Sequence, residues 1–252
     1  MSGHSKWAGI KHKKAITDAR RGAVFTKMAR EITVAAKEGG GDPSGNFRLR
    51  LAMQRARDVN MPTDNIERAI KRGTGEGGAA HFEELRYEGY GPAGVAIMID
   101  ALTDNRNRTA MDIRGIFTWH GGNVAEQGAV SWQFRRKGVI AVDAQGKDPE
   151  ELALAVIEMG ASDVQVDGGQ LEVETEPEDF ERVREGIVRL GAKIANAEVT
   201  MSPTSTVPVG DEADARRVLR LLDALEESDD VQHVYANFDI DTEQLERLSE
   251  AV

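Results

Sequence analysis

The sequence predicts an α+β protein of three domains: an N-terminal three-helix domain followed by two ferredoxin-like α/β sandwiches, one inserted in the other. Three observations carry this. The first 75 or so positions show helical spacing of apolar residues throughout, and past a glycine-rich stretch the pattern changes to strands alternating with helices. Within that alternation lies a complete β-α-β-β-α-β run, flanked by two pieces that each hold too few strands to stand alone. A length of 252 residues suits two or three such cores.

The first domain is expected over residues 1–75, with a basic arm at its start. Asp18 to Lys37 reads as a helix, because Phe25, Met28, Ile32, Ala35 and Ala36 recur at three- and four-residue spacing and Gly39-Gly40-Gly41 stops it. A turn at Asp42-Pro43-Ser44-Gly45 leads to a second helix with the stripe Leu49, Ala52, Met53, Ala56. A third starts near Thr63 or Asp64, where Asp64 and Glu67 have capping-box spacing, and carries Ile66, Ala69 and Ile70. GTGEGGAAH, residues 73–81, reads as a flexible linker.

Gly94 to Ile99 then reads as a strand and Thr109 to His120 as a helix stopped by Gly121-Gly122. Val130, Trp132 and Phe134 alternate with polar residues, which predicts a half-buried strand. Residues 138–202 form the inserted ferredoxin-like unit, with a hairpin around Asp167-Gly168-Gly169 and helices that end at Met159-Gly160-Ala161 and Leu190-Gly191-Ala192. The discontinuous host is expected from residues 82–137 plus 203–252, the latter giving a strand, a helix with Val218, Leu221, Leu222 and Leu225 on one face, and a strand from Val231 to Ile240.

Charge is divided unevenly. Residues 1–75 hold 16 Lys and Arg against 7 Asp and Glu, net +9, which leaves 16 basic against 36 acidic residues, net −20, for the remainder. A basic module on an acidic body points to a polyanionic partner for the module. The absence of cysteine excludes disulfides, thiolate zinc sites and cysteine nucleophiles, and fits a reducing, cytoplasmic setting. No apolar run of about 18 residues offers a membrane span. The start lacks the apolar core of a signal peptide and runs straight into a patterned helix, so it reads as mature protein.

The candidate nucleic-acid-binding residues follow from the same asymmetry. MSGHSKWAGIKHKK carries His4, Ser5, Lys6, Trp7, Lys11, His12, Lys13 and Lys14 and no acid, which suits an arm that orders on RNA or DNA by phosphate pairing and ring stacking. Trp7 as a staple onto the helices is the competing reading. On the second helix Arg48 and Arg55 flank one side of the apolar stripe and Arg50 and Arg57 the other; the first helix repeats the device with Arg20 and Lys27, then Arg30 and Lys37, beside Arg21. Such rails can straddle a phosphate backbone.

TDNRNRT, residues 103–109, places Arg106 and Arg108 near a helix start, and Tyr87 and Tyr90 sit in YEGYGP. These four form a possible secondary partner site, although capping and a turn with packed rings explain them as well. His4, His12, His81, His120 and His233 show no metal-ligand spacing, and nucleophile-elbow and phosphate-loop motifs are absent. No enzyme, cofactor or metal is expected.

GHSKWAGIKHKK, FTKMAREI, NFRLRLAMQRARDVNMPTDNIERAIKRG, YEGYGPAGVAIMIDALTDNRNRT and HGGNVAEQGAVSWQF resemble the YebC/PmpR family of small bacterial proteins, whose mitochondrial relatives act as translational activators for a cytochrome oxidase subunit. The similarity is dense from residue 2 to about 134 and thinner beyond; Gly9 stands where many relatives have Asn. The resemblance implies a helical first domain, two α+β domains and a non-catalytic role in gene expression. That role is either DNA-binding transcriptional regulation or a ribosome-associated function relieving stalled elongation on proline-rich stretches.

A reader of DNA sequence needs base-reaching side chains and commonly a dimer matched to half-sites. The second helix offers mostly arginines, and no dimer seam shows, so a monomer is expected. A ribosome ligand needs shape, phosphate contacts and a reaching arm. The residues therefore favour rRNA over duplex DNA, with a small effector held by the paired sandwiches as a further alternative.

Overall fold

A computed structural model describes residues 18–76, 82–144, 146–167 and 169–250. The first domain consists of α1 (Asp18–Gly39), α2 (Phe47–Asp58) and α3 (Thr63–Gly73). Their apolar stripes meet in one core of Ile32, Ala35 and Ala36 from α1, Leu49, Ala52 and Ala56 from α2, and Ile66 and Ala69 from α3. Small residues let the helices approach closely; a Cβ on Gly73 would lie 2.3 Å from the Thr33 carbonyl oxygen. Asn46 ties the end of α1 to the start of α2. Its Oδ1 accepts from the Leu49 amide at 3.0 Å, while its Nδ2 donates to the Ala35 carbonyl at 2.7 Å. The capping box expected of Asp64 and Glu67 does not form, because Pro62 occupies the cap position and Asp64 already lies within the helix. Residues 77–81 of the glycine-rich linker, and the arm, lie outside the described residues.

The elements that follow are β1 (Glu83–Tyr90), β2 (Ala96–Thr103), α4 (Arg106–Trp119), β3 (Asn123–Ala125), β4 (Phe134–Asp143), α5 (Pro149–Glu158), β5 (Asp163–Asp167), β6 (Gln170–Thr175), α6 (Phe180–Arg189), β7 (Lys193–Pro203), β8 (Val207–Pro208), α7 (Glu212–Glu227), β9 (Val231–Ala236), β10 (Phe238–Asp239) and α8 (Thr242–Glu250). The host sheet has the order β3-β1-β2-β9, antiparallel throughout. Ile97, Ile99, Ile113, Phe117, Leu222 and Val234 are part of the core formed where α4 and α7 cover it. The guest sheet has the ferredoxin-like order β5-β6-β4-β7. It buries Ile140, Leu171 and Val173 against Val156 of α5 and Val183 and Ile187 of α6.

Four local expectations change. YEGYGP is largely strand: β1 pairs with β2 from Glu83↔Thr103 to Tyr90↔Ala96, so Tyr87 and Tyr90 are ladder residues. Trp132 is not in a strand, since Ser131–Gln133 is a short 3₁₀ turn and β4 begins at Phe134. The strand expected after Thr206 shortens to β8, which pairs in parallel with β10 away from the host sheet. Past Ile240 the chain forms α8, whose Leu245 and Leu248 enter the host core.

Candidate nucleic-acid interface

His4, Ser5, Lys6, Trp7, Lys11, His12, Lys13 and Lys14 lie outside the described residues, as does the side chain of Arg20. The rest of the basic set can be placed. On α2 the 100° step sends residues seven apart to the same line, and its two lines of arginine have different fates. Arg48 Nη1 lies 2.6 Å from Glu38 and Nη2 donates to Glu84 on β1. Arg55 Nη1 lies 3.2 Å from Glu31 and Nη2 3.9 Å from Glu198 on β7. The opposite line meets no carboxylate among the described residues: Arg50 donates to the Pro43 carbonyl at 2.7 Å and lies over the Phe47 ring, and the Arg57 side chain is exposed with no polar partner among the described residues.

On α1, Arg21 and Lys37 are exposed. Lys27 donates to the Glu226 carbonyl at the end of α7, and Arg30 reaches Asp230 at 2.9 Å with its guanidinium over the Phe82 ring. Arg30, Arg48 and Arg55, expected to meet phosphate, are thus committed to carboxylates. The helical step fixes which flank each occupies, but only tertiary packing decides which flank meets the acidic body. The structure adds a cluster that sequence reasoning passed over. Arg68, Lys71 and Arg72 of α3 are exposed, and their i, i+3, i+4 spacing was visible in NIERAIKRG.

Asp230 anchors the junction. It is 5% exposed. Its carboxylate accepts from Arg30 and Arg108 at 2.9 Å each, from Thr109 at 2.7 Å and from Thr103 at 3.2 Å. Burial pushes its pKa up, but the Arg108 and Thr109 hydrogen bonds and the charges of Arg108 and Arg30 outweigh burial and hold the carboxyl below its ordinary range. One buried acid therefore joins α1, α4 and the start of β9.

Residues 103–109 act as a cap: Asn105 Oδ1 accepts from the Arg108 amide at 3.1 Å. Arg108 is committed to Asp104 and Asp230, and exposed Arg106 lies 3.6 Å from Glu83. Tyr87 packs on the main host core, while Tyr90 joins a separate cluster with Val130 and Phe134 and donates to the Ala129 carbonyl at 3.1 Å. Tyr87 Oη donates to the Arg106 carbonyl at 3.5 Å, so these two residues adjoin, while Tyr90 lies in the other cluster and Arg108 is turned to Asp230. A cleft of about 350 Å³ between the first domain and the host sheet is lined by Arg48, Glu84, Arg86, Asp100, Gln232 and His233 among others. Its arginines are already paired, Arg86 with Asp100 at 2.7 Å and Arg48 with Glu38 and Glu84.

Comparison with known proteins gives this arrangement a context. The family model described as the TACO1/YebC protein N-terminal domain matches residues 5–76, and that for the TACO1/YebC second and third domain matches residues 82–238. The chain belongs to the TACO1/YebC family. A protein of Natranaerobius thermophilus is 55% identical over 249 residues, covering 98% of this chain and 99% of its own. One of Rubrobacter xylanophilus is 54% identical over 250 residues, covering 99% and 100%. Both carry the name probable transcriptional regulatory protein. The crystal structure of a conserved hypothetical protein of Aquifex aeolicus is similar at a TM-score of 0.81 and 51% identity, over 92% of this chain and 96% of that one. The TACO1/YebC matches break at residues 77–81, within the glycine-rich stretch. Among the described residues no helix is long and apolar enough to cross a membrane, and no cluster of three metal-ligating side chains occurs.

Proposed function

We propose that this chain is a non-catalytic, nucleic-acid-binding regulator of gene expression whose ligand is structured RNA of the ribosome, engaged through the first domain and its arm, with relief of stalled elongation as its role. The observation that supports this is the outward half of the basic domain. After the junction has taken Arg30, Arg48 and Arg55, the exposed cations Lys37, Arg50, Arg57, Arg68, Lys71 and Arg72 carry no carboxylate partner among the described residues. In a chain of net charge −11 such a surface selects a polyanion, and its guanidinium forks suit phosphate oxygens.

Binding of duplex DNA is the second reading, supported by the names of the relatives and by the short turn that joins α2 to α3 through Asn60, at φ 58°. A recognition helix meets base edges with its N-terminal residues. The corresponding end of α3 presents Asp64 and Glu67, both exposed, which repel a groove lined by phosphate. That charge pattern favours RNA.

Co-sedimentation with ribosomes beside a gel shift on duplex DNA, with the intact chain and with one lacking residues 1–14, tests the proposal. About five phosphate contacts give a slope of log affinity against log salt near −4. Ribosome binding should exceed duplex binding and fall with truncation. A flat salt response, or tighter binding to the duplex, would overturn it.

A further inference from the structure

Trp132 is 71% exposed, although the loop that carries it is fixed from below. Glu88, 2% exposed on β1, accepts from the amides of Gly128 at 2.8 Å, Val130 at 2.7 Å and Ser131 at 2.9 Å. Trp132 Nε1 donates to the Ala129 carbonyl at 3.0 Å, and the Gln133 carbonyl accepts from the Thr204 amide at 2.7 Å. Buried Val130 and Phe134 pin the turn on either side. A ring held this firmly loses little conformational entropy when a ligand covers it.

Two arginines follow the ring closely in the chain. Their side chains, on Arg135 and Arg136, are exposed and have no hydrogen bond or ion pair among the described residues, as is also true of Arg114 on α4 and Arg220 on α7, whereas Arg86, Arg108, Arg182, Arg184 and Arg247 are matched to carboxylates; here two such arginines lie next to an exposed indole. Arg135 pairs with Ser202 across the β4–β7 ladder and lines a cleft of about 410 Å³ with Lys137, Ser202 and Thr204. Lys137 is neutralised by Glu174 at 2.8 Å.

We infer that Trp132, Arg135 and Arg136 form a second contact for a single-stranded segment of nucleic acid, in which the indole stacks on one base and the two guanidinia pair with flanking phosphates. This rests on the reading that the chain binds nucleic acid, and it extends the contact from the first domain to the body. Single strands fit because their base faces are free, whereas a duplex hides them. A protein partner fits less well. Glu126, Gln127 and Gly128 beside the ring are exposed and non-aliphatic, so the apolar surround that dries a protein hot spot is missing.

The test uses the full chain and a fluorescently labelled 12-residue oligouridylate, read by anisotropy across a salt series. Trp132→Ala should weaken binding roughly tenfold, and Trp132→Phe should restore most of the loss. Arg135→Gln with Arg136→Gln should make the salt slope shallower by about 1.4. Crosslinking of a 4-thiouridine-containing oligomer should map to Trp132. Unchanged affinity in both variants, with no crosslink there, overturns the inference while binding by the parent leaves the first-domain reading standing. Binding of an oligoglutamate that depends on Trp132 as strongly as RNA binding does also overturns it. A parent that binds no nucleic acid overturns both.

Discussion

The contact between the first domain and the host sheet is made of charge, whereas the interior of the host is made of aliphatic and aromatic side chains. At the junction Arg30 meets Asp230, Arg48 meets Glu84 and Lys27 meets a helix-end carbonyl. In the interior Ile99, Ile113, Phe117 and Leu222 are fully buried. Apolar burial is indifferent to salt over the range where ion pairs are screened, so the two regions respond to different conditions. Stability resides in the cores; the placement of the basic domain resides in ion pairs.

Breaking the apolar side gives the largest effect. Phe117→Ala should cost about 3–5 kcal/mol in denaturant unfolding, because the ring fills the space between α4 and the sheet under Gly89 and Gly122. Glu88→Ala comes next, at about 1–3 kcal/mol, since three amides lose their shared acceptor. It should also loosen the Trp132 turn, read as faster amide exchange at Val130 and Ser131.

Acid tests both regions together. Burial pushes the Glu88 carboxyl up, but the amides of Gly128, Val130 and Ser131 outweigh it and hold the group below its ordinary range, as the arginines do for Asp230. A lowered native pKa supplies stability that is complete above about pH 5 and disappears as pH falls through the lowered value. Melting temperature should therefore decline with acid below about pH 4, and Glu88→Gln with Asp230→Asn should flatten that decline.

Arg30→Gln should change global stability by only about 1 kcal/mol, because the buried Asp230 carboxylate keeps Arg108, Thr109 and Thr103 as partners and is not left unpaired. It should nevertheless widen the particle in small-angle scattering, as should salt on the parent chain; equal dimensions at low and high salt would contradict a junction held by charge. The smallest effect on stability, and the sharpest on function, separates the two lines of α2. Arg50→Gln with Arg57→Gln should make the salt slope of RNA binding shallower by about 1.4, whereas Arg48→Gln with Arg55→Gln should leave it nearly unchanged.

Much of this was visible in the sequence. The stripes on α1, α2 and α3, the nested sheets and the left-handed glycines at 160 and 191 that end α5 and α6 follow from local rules. What escaped depended on distant partners. Glu-Gly-Tyr-Gly-Pro has the composition of a turn, yet Gly89 sits in β1 because Phe117 and the Asn123 carbonyl leave no room for a Cβ. Alternation in Val130, Trp132 and Phe134 suggested a strand, but Glu88, more than 40 residues earlier for two of its three amides, draws the backbone into a turn and turns the indole outward. The basic face was legible as composition, while its division into a docking half and a free half was not, since distant acids decide it: Glu84 of β1, Glu198 of β7 and Asp230 just before β9.

The guest sheet departs and returns through neighbouring strands, Phe134 of β4 lying opposite Pro203 of β7. Its only covalent tethers to the host are therefore two adjacent strands running in opposite directions, the wiring of a cassette. A unit joined in this way can be exchanged, enlarged or cut back to a hairpin without re-threading the host, so the two sheets are free to diverge at different rates within one lineage.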